Sequence, residues 1–492
     1  MNRLTVVSNR LPVTLESGPD SCKVRLSSGG LVSALLPVIH KYGGCWVGSA
    51  DYGDSLELDS LVSSIAASEG FQMSPVSLSA ELRSDYYCGF CNEILWPLFH
   101  DLQSRCNFEP RYWYAYQEAN SQFCEKVASQ ALTDDLIWVQ DYHLMLMGEM
   151  LSRRFDRRRL LYFHHIPFPP PDVFEKLPWR KQILEGLFGF GLVAFQSQRD
   201  RYNFLSCVRR FFPQCVLKKH GRNLVIRNNS SETLIGTFPI EIDYDDFVRS
   251  ATNPVVSADA EDIRRHLQDC HVVLGVDRLD YTKGIPERIR GFRTLLERYP
   301  ALHGHVTLIQ IAVPSREGIR HYRELQAELG RLLKEVNARF ARPGWTPIHY
   351  LNRHFSRAEL TAFYRAADVA LITPVKDGMN LVSKEFCASR IDDSGVLILS
   401  EFAGAAHELK TGALLVNPYD AEGIATALYN AFEMNAREKS RRMKRMRKRV
   451  RAHNVFEWCE RILSAAGARP RNIELSSGDD RALVKPGGKS VH

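Results

Sequence analysis

No apolar run in this chain reaches the ~18 residues needed to cross a bilayer. The stretch Met1–Ser8 has one basic residue and too short an apolar core for a secretory signal, so it reads as a first β-strand and the cytoplasm is the expected compartment. The eleven cysteines are odd in number and scattered from Cys22 to Cys459, which excludes a disulfide framework and suits a reducing compartment. Cys88 and Cys91 have the spacing of half a redox or zinc site. No second CxxC and no strand–CxxC–helix context accompany them, so two unpaired thiols in a loop, holding no metal, are expected. Also missing are GxGxxG, GxxxxGK(S/T), HExxH and GxSxG, which disfavours a nicotinamide enzyme or a P-loop kinase.

What is present is an ordinary globular composition, 45% hydrophobic and 25% charged, over 492 residues, long enough for two or three domains. The net charge of +7 is concentrated. Arg437–Arg451 holds ten Lys or Arg against one Glu, so the rest of the chain is slightly acidic. Met443, Met446 and Val450 fall on one stripe of this basic segment and no aromatics interleave with the charges, which favours a solvated or subunit-facing helix over a nucleic-acid or membrane surface. The expected partners are thus small molecules, with a homo-oligomer left open.

Short aliphatic runs alternate with longer amphipathic ones. Strands are expected at Leu4–Val7, Leu136–Val139, Leu160–Phe163, Leu192–Phe195, His271–Val276, Val306–Ile311, Val369–Ile372, Val396–Leu399 and Ala413–Val416. They are mostly apolar throughout and do not alternate, as parallel strands covered on both faces are. Gly318–Phe340 repeats apolar residues at helical steps. The reading is α/β, with two facing Rossmann-like doubly wound domains. They span 1–240 (acceptor side) and 245–450 (donor side), followed by a helix at 451–466 and a disordered tail at 467–492. Ligands of such sheets bind beyond the carboxyl ends of the strands, which puts the active site in the cleft between the domains.

Three constellations point at phosphates and sugar hydroxyls. Ser27-Ser28-Gly29-Gly30-Leu31-Val32 opens a helix, whose free N–H groups favour an anion. Val276-Asp277-Arg278-Leu279-Asp280-Tyr281-Thr282-Lys283-Gly284 ends a strand with two cations placed where a parallel sheet delivers ligands. Asp377-Gly378-Met379-Asn380-Leu381-Val382-Ser383-Lys384-Glu385 places a carboxylate before a glycine turn and a helix start, with a second carboxylate eight residues on. That spacing can serve sugar hydroxyls, a pyrophosphate and a ribose diol.

With Val6–Arg10, Asn92–His100, Asp141–Leu144, His164–Pro169 and Ser400–Ala406, these segments make the chain resemble the α,α-trehalose-phosphate synthase family, retaining GT-B glycosyltransferases, from about Arg3 to Leu463. The resemblance implies transfer of glucose from UDP-glucose to glucose 6-phosphate, giving α,α-trehalose 6-phosphate and UDP without a cofactor or metal. The alternatives are a glucosylglycerol-phosphate synthase using glycerol 3-phosphate, and a non-catalytic sugar-phosphate sensor. By resemblance, Gly30, Arg278 and Lys283 hold the diphosphate, Leu381, Val382 and Glu385 the nucleotide and ribose, and Asp377 with Gly378, Met379 and Asn380 the donor glucose. His165 and Asp141 stand at the reacting carbon, and Arg10, Tyr87, Trp96 and Arg316, with Asp141, form the acceptor site. The competing readings are core positions for Tyr87 and Trp96, interdomain ion pairs for Arg10 and Arg316, and a cap on backbone carbonyls for His165. Two departures stand out. The family's Trp-x-Gly-Trp is Trp46-Val47-Gly48-Ser49 here, which removes an indole from the acceptor pocket, and its His-Asp-Tyr-His is Gln140-Asp141-Tyr142-His143.

Overall fold

The computed structural model describes residues 3–467 apart from 18–21, 27–29, 50–61, 63, 67–68, 230, 268–269 and 317–318. The tail expected to be disordered lies outside the described residues beyond Gly467.

The strands, in chain order, are β1 Leu4–Arg10, β2 Val13–Ser17, β3 Cys22–Leu26, β4 Gly44–Ser49, β5 Gln72–Val76, β6 Leu136–Gln140, β7 Leu160–His164, β8 Leu192–Phe195, β9 Val216–His220, β10 Asn223–Asn228 and β11 Ser231–Thr237. A second set follows: β12 His271–Arg278, β13 Val306–Val313, β14 Ile348–Leu351, β15 Val369–Ile372, β16 Val396–Ser400 and β17 Leu414–Val416. The first sheet runs β5-β4-β1-β6-β7-β8-β11-β10-β9, parallel from β5 to β11 and closed by an antiparallel pair. The second runs β14-β13-β12-β15-β16-β17 and is wholly parallel. β2 and β3 pair with each other as a separate antiparallel ribbon.

Strand order reverses between β1 and β6 in the first sheet and between β12 and β15 in the second. At such a switch the flanking loops diverge and leave a crevice beyond the strand ends. Arg10 closes β1, Asp141 follows β6, Arg278 closes β12 and Asp377 lies beyond β15, so both crevices carry residues singled out in the sequence.

The chain passes from one sheet to the other through 238–243 and returns at its end. Helix Val455–Ala465 buries Trp458, whose Nε1 donates to the Phe238 carbonyl at 3.0 Å and whose ring lies 5.3 Å from both Trp138 and Phe163 of the first sheet. Lys384, fully buried on helix Leu381–Ser389, donates to the Ile240 carbonyl at 3.0 Å and pairs with Glu241 at 2.7 Å and Glu408 at 3.2 Å. A buried ammonium is tolerated only with such partners, and here they fasten the donor-side helix to the connecting segment.

The basic segment forms helix Ala436–Arg451 with Met443, Met446 and Val450 buried, as its stripe predicts. Several of its cations are answered locally: Arg447 by Asp393 at 2.5 Å and Arg449 by Glu408 at 3.3 Å. One expectation is corrected. Cys88 and Cys91 do not lie in a loop but inside a π-helix, Ser84–Leu95, packed on helix Pro110–Gln130, where both are free thiols. Gly89 between them sits so close to Tyr112 that a Cβ would come within 2.5 Å of its ring. That close approach seats the turn against its neighbour.

Candidate active site

A cavity of about 830 Å³ opens between the carboxyl ends of the two sheets. Every site residue named from the sequence lines it except Gly378. Gly378 stands directly behind the wall: a Cβ there would lie 2.2 Å from the His165 carbonyl oxygen, so only glycine lets the 377–380 turn meet the first domain.

On the second sheet's side the geometry comes from local capping. Asp280 Oδ1 accepts from Thr282 N at 2.9 Å and Thr282 Oγ1 at 2.8 Å, and Gly284, at φ 63°, turns the chain into helix Ile285–Arg298. This holds Lys283 toward the cavity, where Nζ lies 2.6 Å from Asp377 Oδ2. Burial works against the Asp377 carboxylate, but the Lys283 ammonium outweighs it and holds the group below the usual range. Asn380, at φ 83°, caps helix Leu381–Ser389 by accepting from Ser383 N at 3.0 Å. The first turn of that helix faces the first turn of helix Gly30–Tyr42, since a Cβ on Gly30 would lie 3.2 Å from Leu381 Cδ1. Two helix N-termini and Lys283 therefore surround one space, an arrangement suited to an anion. Arg278 is exposed at the end of β12 and makes no ion pair among the described residues. Glu385 accepts from the Tyr364 hydroxyl at 2.8 Å, and burial raises its carboxyl above the usual value.

Across the cavity, side chains from distant segments hold one another. The Arg316 guanidinium lies 4.0 Å over the Trp96 ring, and that of Arg278 lies 5.6 Å away on the same indole. Arg316 Nη1 donates to Asp280 Oδ2 at 2.9 Å and to the Tyr322 hydroxyl at 2.5 Å, while Nη2 reaches the Tyr142 hydroxyl of the first domain at 3.3 Å. Arg316 thus pairs within its own domain and touches the other through Tyr142 and Trp96. Arg10 lies 4.9 Å over the Tyr87 ring, which also stacks on His143 at 5.8 Å. Burial pushes the Tyr87 phenol up, but Arg316, Arg10 and Arg278 outweigh it and leave it below the ordinary tyrosine value. Ser49, at the end of β4, donates to the Asn9 carbonyl at 2.5 Å and lines the cavity beside Arg10.

At the seam, Asp141 has φ 70°, and its Oδ1 accepts from the His165 backbone N at 3.2 Å. Burial raises its carboxyl to about 6 against the pull of those N–H groups and of Arg316 and Arg278. The His165 ring is gripped at both nitrogens. Gln196 Oε1 accepts from Ile240 N at 2.9 Å, which turns its amide nitrogen to His165 Nδ1 at 3.3 Å. Nδ1 must then accept, so Nε2 carries the proton and donates to Gln140 Oε1 at 2.9 Å. Burial lowers the imidazole to about 3, and the ring is neutral. Its partners are thus side-chain amides, not the backbone carbonyls of the capping alternative. Sequence reasoning missed Gln196 and Asp280 as site-forming residues. Gln196 carries a signal it could have used, a polar residue ending an apolar strand; Asp280 lies inside a quoted motif.

A model of glycosyltransferase family 20 matches residues 2–467. A trehalose-6-phosphate synthase of Mycobacterium sp. (strain KMS) is 41% identical over 476 residues, covering 94% of this chain and 96% of its own. Among solved structures, an α,α-trehalose-phosphate synthase (UDP-forming) from Burkholderia xenovorans in complex with glucose-6-phosphate matches with a TM-score of 0.85 at 30% identity, covering 95% of this chain and 100% of that one. A structure described as trehalose-6-phosphate from E. coli bound with UDP-2-fluoro glucose matches at 0.82 and 32% identity, covering 94% and 99%.

Proposed function

The chain belongs to glycosyltransferase family 20, and from that premise we propose that its cleft transfers glucose from UDP-glucose to the anomeric hydroxyl of glucose 6-phosphate, with retention, forming α,α-trehalose 6-phosphate and UDP. The fold is GT-B, and the substrate pair follows the two related structures, one holding glucose-6-phosphate and the other a UDP-glucose analogue. One observation carries the reading: an anion site made of two helix N-termini, Lys283 and Arg278 faces an Arg10–Tyr87–Trp96–Arg316 site across one cavity, with Asp141 and His165 between them.

The residue roles proposed are those the resemblance implies, and that placement supports them. Arg278, Lys283 and the helix starting at Gly30 take the diphosphate; Leu381, Val382 and Glu385 take the nucleoside; Asp377 and the 378–380 backbone take the donor sugar. The bond from glucose C1 to the phosphate oxygen breaks as the bond from C1 to the acceptor oxygen forms on the same face. The acceptor's proton passes to the departing diphosphate. Negative charge grows on that diphosphate, and fixed cations already in place stabilise it without reorganising. His165 is neutral with both ring nitrogens engaged, so it orients and does not serve as a base. In this reading Arg278 and Lys283 take the electrostatic role a divalent cation has elsewhere, and no cofactor is needed.

Among the described residues no helix is long and apolar enough to cross a membrane. The test is release of UDP on mixing the protein with UDP-glucose and either glucose 6-phosphate or glycerol 3-phosphate, with and without EDTA. Turnover with glucose 6-phosphate, undiminished by EDTA, is expected. Preference for glycerol 3-phosphate would assign the alternative acceptor, and absence of turnover with both would favour a sensor.

A further inference from the structure

The π-helix Ser84–Leu95 delivers Tyr87 to the acceptor side, and its conformation needs an explanation. π-Turns are rare and usually single, because the wider turn loses packing along the helix axis. Within this one, Asn92 is fully buried, and its Nδ2 donates to the Tyr87 carbonyl at 2.7 Å. Its Oδ1 accepts from the Tyr142 hydroxyl at 3.1 Å, and that hydroxyl accepts from Arg316 Nη2 at 3.3 Å.

The direction of this chain of bonds is fixed by chemistry. A guanidinium can only donate and a backbone carbonyl can only accept, so each link between them must point the same way. Arg316 donates to Tyr142, Tyr142 to Asn92, and Asn92 to the carbonyl of Tyr87. One amide therefore joins the cation of the second domain to the aromatic of the first. From this we infer that Asn92 is a positioning residue for the acceptor site, holding Tyr87 and Arg316 in the relative placement that grips a sugar phosphate. The inference rests on the reading of Tyr87 and Arg316 as acceptor residues.

The test uses Asn92→Asp, Tyr142→Phe and Tyr87→Ala in the full chain, with KM for glucose 6-phosphate, kcat and Kd for UDP measured for each. Asp keeps the acceptor facing Tyr142 but turns a second acceptor toward the Tyr87 carbonyl. Asn92→Asp is expected to raise KM for glucose 6-phosphate about tenfold, with kcat and the UDP Kd within about twofold. Tyr142→Phe leaves the Asn92–Tyr87 bond intact and cuts the link to Arg316; it should raise the same KM by about three- to tenfold. It also keeps the inference testable if Asn92→Asp fails to fold. Combining the two should cost less than the product of the single effects, because both cut one chain. If Tyr87→Ala raises KM while both other variants leave it within twofold, Asn92 is merely structural and the inference falls. If Tyr87→Ala also leaves KM unchanged, the acceptor assignment itself is wrong. A fall in kcat with a weaker UDP Kd in Asn92→Asp or Tyr142→Phe would likewise overturn it.

Discussion

The two sides of the cleft are built by different means. Apart from Gly30, donor-side residues come from short contiguous segments, 278–284 and 377–385, and are aimed by capping within a few residues: Asp280 on Thr282, Asn380 on Ser383, Gly284 at positive φ. Acceptor-side residues come from Arg10, Ser49, Tyr87, Trp96 and Arg316, spread over three hundred positions, and are aimed by side-chain bonds, to nearby Tyr322 and Asn92 and to Tyr142 of the other domain. Backbone capping fixes charge in place before substrate arrives, which suits stabilisation of a transition state. A side-chain network adapts to what it holds, which suits recognition. Donor-side losses should therefore appear in kcat and acceptor-side losses in KM.

The largest expected effect tests that division directly. Arg278→Ala and Lys283→Ala should each lower kcat by about 10²–10³, as for a lost partner of developing charge. Arg278 makes no ion pair among the described residues and lies over the Trp96 ring, so its loss strands no buried charge and removes chiefly what it gives the substrate. Lys283→Ala also leaves the Asp377 carboxylate without its ammonium, and should be the worse of the two. Steady-state kinetics decide it. Changes confined to KM in both variants would erase the difference between the two sides.

The same division governs what could be read in the sequence. Parallel strands covered on both faces announce themselves as apolar runs, and Leu192–Phe195 and Val369–Ile372 are found with the bounds expected. β4 and β5 were not legible, since Gly44, Gly48 and Pro75 interrupt the apolar pattern. Nor was the edge formed by β9, where Lys218, Lys219 and His220 face solvent. The donor side was legible because a local motif makes a local structure. The π-helix was not: hydrophobic periodicity assumes 3.6 residues per turn, and Cys88–Cys91 read as a loop. In the sequence Gln140 stands out only as a departure from a pattern. Its grip on His165 depends on Gln196 and Ile240, 56 and 100 positions further on.

Asp141 sits at the seam between the two sides and gives the intermediate effect. Its carboxyl is raised from 3.8 to about 6 by burial, so the folded protein holds the proton more tightly than the unfolded chain. Such a group favours folding most below pH 3.8, and its contribution is lost as the pH rises through about 6. At pH 7 the ionised, half-buried carboxylate costs up to about 3 kcal/mol by that shift, less what its remaining exposure to water returns. Asn carries no charge at any of these pH values and can still accept from His165 N. Asp141→Asn should therefore raise Tm at pH 7 by a few degrees, with the gain shrinking toward pH 4, while kcat/KM falls about tenfold to a hundredfold for the lost charged acceptor. Thermal melts across pH against the native protein check the sign. A lower Tm at pH 7 would mean that the carboxylate is better solvated than its burial implies.

The smallest effect is expected at Ser49, which stands where the resemblance leads one to expect a Trp. Ser49 is buried, stands opposite Arg10 in the β1–β4 pairing and donates to the Asn9 carbonyl. Asn9 in turn accepts from the Tyr86 hydroxyl at 2.9 Å, so Ser49 helps hold the strand end that carries Arg10. An indole at this position would enter the cavity beside Arg10 and Tyr87 and offer a flat face to a hexose. A buried aromatic contact is worth up to a few kcal/mol, but the lost bond to Asn9 costs about 1 kcal/mol and crowding in a packed wall about 1 or more. The difference leaves about 1 kcal/mol, so Ser49→Trp should lower KM for glucose 6-phosphate by about threefold to tenfold, with kcat little changed. Glycerol 3-phosphate has no ring to stack and should gain nothing. The ratio of kcat/KM for the two acceptors, in the native protein and in Ser49→Trp, reads this without depending on protein stability. A ratio that moves toward glucose 6-phosphate shows that recognition on the acceptor side is set by side-chain surface. A ratio that stays put, with both values falling together, would show that Ser49 acts only by holding Asn9, and the acceptor side would then be aimed by its backbone in the manner of the donor side.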